Sequence, residues 1–310
     1  MTDSAIQTEG LTRRFGPVVA VDDLSLQVPR GSIFGFLGPN GSGKTTTIHL
    51  LLGLLEPSSG SARVLGLDPL RHGDEVRAHS GALLEYPGLY ERLSAQDNLD
   101  FYGRVWRIPP AARAERVKEL LGPLDLWERR HEPVGDWSRG MKQKLAVARA
   151  LFHRPEVAFL DEPTAGLDPV AAASLRDDLE RLVSHEGVTV FLTTHNLPEA
   201  ERLCDLVGVI RVGKLLAVDT PERLRLNAGG QRVEISGAGF SPDLVSQLRA
   251  RPDVRAVEQE HGRLSISLNG EVSVAPLVRL LVEGGAAVEE VHKGAASLEE
   301  AFLSLMEQPA

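Results

Sequence analysis

Residues 32–51 read SIFGFLGPNGSGKTTTIHLL, and the rest of the chain is interpreted around them. Ser32 to Leu37 is a short apolar strand, and the run from Lys44 to Leu55 has helical character. Between them Gly38-Pro39-Asn40-Gly41-Ser42-Gly43-Lys44-Thr45 fills the pattern G-x-x-x-x-G-K-[ST] at every position. Glycines at these places let successive backbone N–H groups turn inward around an anion. The N-terminus of the following helix adds the positive end of its dipole. Lys44 is placed to reach terminal phosphates, and the Thr45 hydroxyl can ligate a divalent cation, with Thr46 beside it. A strand before and a helix after are the context that separates this loop from a chance glycine turn.

Two further strand ends carry chemistry. Val157 to Leu160 is apolar and runs into Asp161-Glu162. A buried strand delivering Asp161 to its C-terminal end suits a Mg²⁺ ligand. Glu162 next to it suits polarising a water for in-line attack on a phosphate. Val188 to Thr194 is a second such strand, and His195 follows it at the edge where parallel sheets bind ligands. Helices at Arg139 to Leu151 and at about Val170 to His185 alternate with these strands, which argues for an α/β domain with a mainly parallel sheet. Val18 to Val28 alternates as a strand and ends in the turn Pro29-Arg30-Gly31. Asp97 to Leu121 is helical, broken by Ile108-Pro109-Pro110.

Composition limits the alternatives. The chain has 310 residues and a net charge of −9, and both parts are acidic when it is divided near residue 222. No basic half or tail advertises nucleic acid. The single cysteine, Cys204, excludes an internal disulfide and a multi-cysteine zinc cage. No stretch offers the roughly 20 apolar residues that cross a bilayer, and MTDSAIQTEG lacks the features of a signal peptide. The expectation is a cytoplasmic chain that reaches a membrane only through a partner.

After Pro221 the pattern changes. Arg232 to Ser236 is a strand, Ser241-Pro242 opens a helix, and Val254 to Glu260 pairs with Leu264 to Leu268 around His261-Gly262-Arg263. Ala275 to Glu283 is helical up to Gly284-Gly285, Ala287 to His292 is a strand, and Ser297-Leu298-Glu299-Glu300 is a capping box for a last helix. This β-α-β-β-α-β order is ferredoxin-like. The expected division is residues 1–221 and a small α+β domain, 222–310.

Taken together, the motifs resemble those of the ATP-binding cassette (ABC) ATPases, the nucleotide-binding subunits of membrane transporters, from about Ile6 to Pro221. Trp137-Ser138-Arg139-Gly140-Met141-Lys142-Gln143 resembles the family signature usually written LSGGQ. It departs at Trp137, Arg139, Met141 and Lys142 but keeps Ser138 and Gly140. Ser138 also suits an ordinary helix N-cap, and the two roles are compatible. Phe15 resembles the aromatic that stacks on adenine, Ala165-Gly166-Leu167-Asp168 the loop that communicates between subunits, and His195 the switch histidine. Where the family usually has glutamine, Ser80-Gly81-Ala82-Leu83-Leu84-Glu85 ends in an acid, Glu85, a further candidate for Mg²⁺. Leu89 to Leu99 resembles the segment facing the membrane partner. The aromatic and arginine residues Tyr86, Tyr90, Arg92, Phe101, Tyr102, Arg104 and Trp106 around it suit an interface or a subdomain core.

The resemblance implies a phosphate-loop ATPase with a mainly parallel core sheet, an antiparallel β subdomain and a helical subdomain. It implies ATP and Mg²⁺ as ligands, Lys44, Glu162 and His195 as catalytic groups, and a homodimer sandwiching two nucleotides with Ser138 and Gly140 of one chain closing on the other. Separate integral membrane permeases follow, with the chain on the inner face of the cell membrane. The variant signature and the second domain favour the branch that exports drugs and antibiotics. A cassette ATPase of DNA repair or translation is the alternative, against which stand one cassette, one cysteine and no heptad run. A kinase or GTPase would leave the signature, Ala165 to Asp168 and His195 unexplained.

Overall fold

The computed structural model describes residues 4–229, 231–260, 262–269, 272–295 and 297–307. They form two compact units, 1–218 and 219–310. In the first, β1 (Ser4–Phe15) and β2 (Val18–Pro29) make a long antiparallel hairpin. β3 (Ile33–Leu37) then runs into the glycine-rich loop and α1 (Lys44–Leu51), and β4 (Ser59–Val64) returns along β1, giving the order β2-β1-β4.

The second sheet is parallel across β5 (Ser80–Leu83), β6 (Val157–Asp161), β7 (Thr189–Thr194), β3 and β8 (Leu206–Arg211) in that spatial order, with β9 (Lys214–Asp219) beyond β8. Every residue of β3, β6 and β7 is buried. Continuous rather than alternating burial is what a parallel sheet covered on both faces requires. Phe34, Phe36 and Phe159 converge on Phe191, with ring centroids 5.3, 5.4 and 5.9 Å from it.

Among the helices, α2 (Gly73–Ala78) precedes β5, and α3 (Ala95–Val105), α4 (Pro110–Leu121) and α5 (Arg139–Leu151) form the helical subdomain. Pro109-Pro110 separates α3 from α4, as the sequence indicates. Buried Arg116 fastens α4 to its surroundings: Nη1 pairs with Glu186 at 2.6 Å, and Nη2 donates to Leu151 O at 2.6 Å. Leaving either charge of such a pair alone in the interior would be costly. α6 (Pro169–Glu186) precedes β7, and the short α7 (Leu197–Leu203) follows it.

The second unit starts with α8 (Pro221–Gly229). Its antiparallel sheet holds β10 (Gln231–Ala238), β11 (Val254–Glu260), β12 (Arg263–Leu268) and β13 (Ala287–Ala295) in the order β11-β12-β10-β13. α9 (Pro242–Arg249) and α10 (Ala275–Glu283) complete the ferredoxin-like pattern. Val233, Ile235, Leu264 and Ile266 pack with Leu244, Leu248, Leu277 and Leu281 into a core of its own. The capping box opening α11 (Leu298–Glu307) is reciprocal: Glu300 N donates to Ser297 Oγ at 3.1 Å, and Ser297 N donates to Glu300 Oε2 at 2.9 Å.

Candidate functional site: a phosphate cradle at four strand ends

Because β5, β6, β7 and β3 are neighbours and parallel, the loops after all four emerge at one edge of the sheet. That is where open α/β sheets bind ligands. The loop after β3 is the glycine-rich turn, and the loops after β6 and β7 carry Glu162 and His195. Glu85 follows β5. These loops line a cavity of about 680 Å³ that includes Asn40, Gly41, Gly43, Lys44, Thr45, Thr46, Glu85, Asp161, Glu162 and His195.

Gly43 must be glycine on two counts. Its φ is 107°, and a Cβ there would collide with the carbonyl of Ala20 on β2. Gly38, Pro39 and Ser42 belong to the same loop without lining the cavity. Ser42 Oγ is buried and has no hydrogen-bond partner among the described residues. Lys44 is 6% exposed, and its Nζ donates to Gly38 O at 2.7 Å and Pro39 O at 3.2 Å.

Asp161, the last residue of β6, sits beside Thr193 of β7. Thr193 Oγ1 donates to Asp161 Oδ1, while Thr45 Oγ1 donates to Asp161 Oδ2 at 2.7 Å. A hydroxyl and a carboxylate so paired in a phosphate cavity are a suitable oxygen donor set for Mg²⁺. Glu162 adopts φ 50°, in the left-handed region, at a cost of about 1–3 kcal/mol for a side-chain-bearing residue. Its N–H donates to both the carbonyl and the hydroxyl of Thr193, at 3.1 and 3.0 Å, which offsets that strain. The carboxylate lies between Lys44 Nζ, 3.2 Å from Oε1, and His195, whose Nδ1 meets Oε2. An ionised carboxylate only accepts, so Nδ1–H of His195 is the donor in this contact.

Residues 21–165 match the family described as ABC transporter. Over 98% of its length the chain is 36% identical to the daunorubicin resistance ATP-binding protein DrrA3 of Streptomyces coeruleorubidus, covering 96% of that protein. It is 35% identical to the bacitracin transport ATP-binding protein BcrA of Bacillus licheniformis over 97% of each chain. Among solved structures, cbiO1 from Clostridium perfringens, part of an ABC transporter complex, aligns with a TM-score of 0.67 and 26% identity over 72% of this chain and 90% of its own. The chain belongs to the ABC transporter family. It is an ATP-binding, ATP-hydrolysing subunit, and these transport relatives leave the repair or translation alternative unfavoured.

The remaining residues singled out from the ABC ATPase sequence fall in different places. Ser138 caps α5, its Oγ accepting Met141 N–H at 3.3 Å. Gly140 abuts Ala171, and neither Ser138 nor Gly140 lines the cavity. Three residues next to them, Arg139, Lys142 and Gln143, do line it, and the Arg139 guanidinium covers Gly166. Asp168 caps α6, accepting from Val170 N and Ala171 N at 3.0 and 2.9 Å, outside the cavity. Phe15 is 45% exposed beneath the Arg13 guanidinium, also outside it. Glu85 is exposed within the cavity and has no hydrogen bond or ion pair to a described residue.

Tyr90, Phe101 and Tyr102 form an edge-packed cluster, and Tyr86 is largely exposed at the cavity. Elsewhere burial lowers His153 to about 4, so it stays neutral, and burial pushes the Cys204 thiol far up, leaving it unreactive. Sequence reading passed over Thr193 because its value lies in reaching Asp161 across two strands, which no local pattern records.

Proposed function

We propose that two copies of this chain close around two Mg-ATP molecules and drive export through separate membrane permeases. The observation that carries the reading is the Glu162 carboxylate held between Lys44 and His195, next to the Thr45–Asp161 pair. In this reading Gly38 to Thr46 wrap the phosphates, and Lys44 leaves its loop carbonyls to meet them. Thr45 and Asp161, with Glu85 as a further ligand, would hold Mg²⁺, which when bound withdraws charge from the phosphates. Glu162 accepts hydrogen bonding from a water and orients it for in-line attack, while His195 holds the carboxylate through its Nδ1–H. Phe15 stacks on adenine. Ser138, Gly140 and Asp168 act on the nucleotide of the opposite chain.

Export as the direction follows the relatives, which include the Nod factor export ATP-binding protein I of Cupriavidus metallidurans, 37% identical over 97% of this chain. Among the described residues no helix is long and apolar enough to cross a membrane. A permease would therefore anchor the chain to the inner membrane face, with the exposed aromatics around Tyr86 and Phe101 as its docking side. Residues 222–310 are proposed as a separable regulatory or dimer-stabilising domain, supported by their self-contained core.

One pull-down tests the partner and the division together. Tagged full-length chain and residues 1–221 are purified from detergent-solubilised membranes of the source cell. Both are expected to bind ATP and to retain a polytopic membrane protein in near-stoichiometric amount. Recovery of ribosomes or DNA-repair enzymes instead would overturn the transporter partner, and a folded 1–221 that cannot bind ATP would overturn the division.

Glu85 is tested separately. A carboxylate is a harder and more strongly charged ligand than an amide. Glu85→Gln should therefore raise the Mg²⁺ concentration for half-maximal ATPase activity by roughly 10-fold, with nucleotide affinity in metal-free buffer little changed. An unaltered Mg²⁺ dependence would leave Glu85 without contact to the ion.

A further inference from the structure

The first turn of α7 contains a glutamate that the hydrolytic reading does not use. Glu199 is fully buried, at 0% exposure, and occupies the third position after the N-cap, Asn196. A glutamate there ordinarily reaches back to the N–H of the capping residue, closing a capping box. Here that N–H already donates to Thr194 Oγ1 at 2.9 Å. Glu199 turns inward instead. Its Oε2 accepts from Thr194 Oγ1 at 2.7 Å and from Thr164 Oγ1 at 3.0 Å, while Oε1 has no partner.

Those two threonines stand next to the catalytic groups. Thr194 immediately precedes His195, and Thr164 lies two residues beyond Glu162, in the turn closed by Ala165 N–H donating to Glu162 O at 3.0 Å. The Glu162 backbone is in the left-handed region, a conformation that persists only where its surroundings over-determine it. Thr193 holds that backbone from the N-terminal side. On the C-terminal side Thr164 ties this turn to Glu199 on α7.

We propose that Glu199 is a positioning residue for ATP hydrolysis: one buried carboxyl oxygen clamps the turn that presents Glu162 to the loop that presents His195, fixing the separation of their side chains. The inference rests on the assignment of Glu162 and His195 to hydrolysis. Burial raises the Glu199 pKa, and the two hydroxyl bonds oppose that rise. The clamp needs an acceptor rather than a charge, because a single oxygen takes both hydroxyls. Nucleotide affinity lies outside its reach, since Lys44 and the glycine-rich loop are bonded elsewhere.

The experiment compares kcat, KM for Mg-ATP and equilibrium ATP affinity in the full-length chain. Glu199→Ala is expected to lower kcat at least 10-fold with KM and affinity within 2-fold, whereas Glu199→Gln, whose amide oxygen accepts the same two bonds, stays within 3-fold of the parent in kcat. Thr164→Val and Thr194→Val, which keep shape, should each lower kcat, and their double variant should lose less than the product of the two. This keeps the test decisive if Glu199→Ala does not fold.

Normal kcat in folded Glu199→Ala, fully independent threonine effects, or Gln as damaging as Ala would each overturn the clamp. Glu162→Gln serves as the reference. If it also retains turnover, the hydrolytic assignment fails first. If it is inactive while Glu199→Ala is not, only the clamp fails.

Discussion

Replacing Glu162 by glutamine should leave a protein that binds ATP, hydrolyses it at least about 100-fold more slowly, and accumulates as an ATP-bound dimer. The amide keeps the size of the side chain and one acceptor oxygen but cannot take up proton density from a water. Removing the negative charge also frees Lys44, whose ammonium is 3.2 Å from that carboxylate, to face the phosphates alone. Nucleotide affinity should therefore hold or rise. His195 loses the acceptor of its Nδ1–H, and the amide oxygen can replace it only if the side chain takes the same rotamer. Folding should be little affected, because the strained Glu162 backbone is held by Thr193 through main-chain N–H bonds that the substitution leaves intact. Steady-state ATPase activity, nucleotide affinity and light scattering in the presence of Mg-ATP measure the three quantities. Near-normal turnover at saturating Mg-ATP would remove Glu162 from its role as the water-orienting group.

Why Glu162 and His195 were legible in the sequence, and Glu199 was not, follows from how each is specified. Lys44 is located by the glycine-rich motif that follows β3, and Asp161, Glu162 and His195 lie at the ends of short apolar strands that gain meaning beside that motif. Glu199 is defined by bonds to Thr164, 35 positions away, and to Thr194. Its sequence position is that of a commonplace helix cap. Local patterns were also overrun where backbone geometry decided. The apolar run after Lys44 extends to Leu55, but α1 ends at Leu51 because Gly53 turns left-handed (φ 66°). Its N–H donates to Leu50 O, and Leu54 N–H donates to His49 O, the pairing of a Schellman motif.

The β1–β2 hairpin was only partly legible for another reason. Bulges between Thr8 and Leu11 and again near Arg13 shift which face each residue occupies, so the alternation of period two fails within β1. The hairpin of β8 and β9, with its turn at Val212-Gly213, lies beyond the last motif-bearing strand and was not assigned from the sequence. In the second unit the opposite holds. There β12 alternates cleanly, with Leu264, Ile266 and Leu268 inward. The ferredoxin-like order could be read directly.

The signature gives the second large effect. Ser138 and Gly140 lie outside the cavity that Lys44 and Glu162 line, yet they open α5, whose N-terminus is proposed as a second anion site. If that site serves the opposite chain, Lys44→Ala and Ser138→Arg should each abolish activity in homodimers by damaging different halves of the same composite site. Arginine at Ser138 removes the cap, worth about 1 kcal/mol to α5, and places a bulky side chain where a phosphate would approach. A 1:1 mixture generates heterodimers in which one site has lost both halves and the other is intact. With random pairing, half of the dimers carry one working site of two, so activity should return to about a quarter of the parent value. The dimer itself is the more direct readout. Built on a Glu162→Gln background, each single variant should stay largely monomeric with Mg-ATP by light scattering, whereas the mixture should show the ATP-dependent dimer. A parent Glu162→Gln chain that stays monomeric with Mg-ATP would refute the sandwich, and a mixture no better than its components would refute the assignment of Ser138 to the partner's nucleotide.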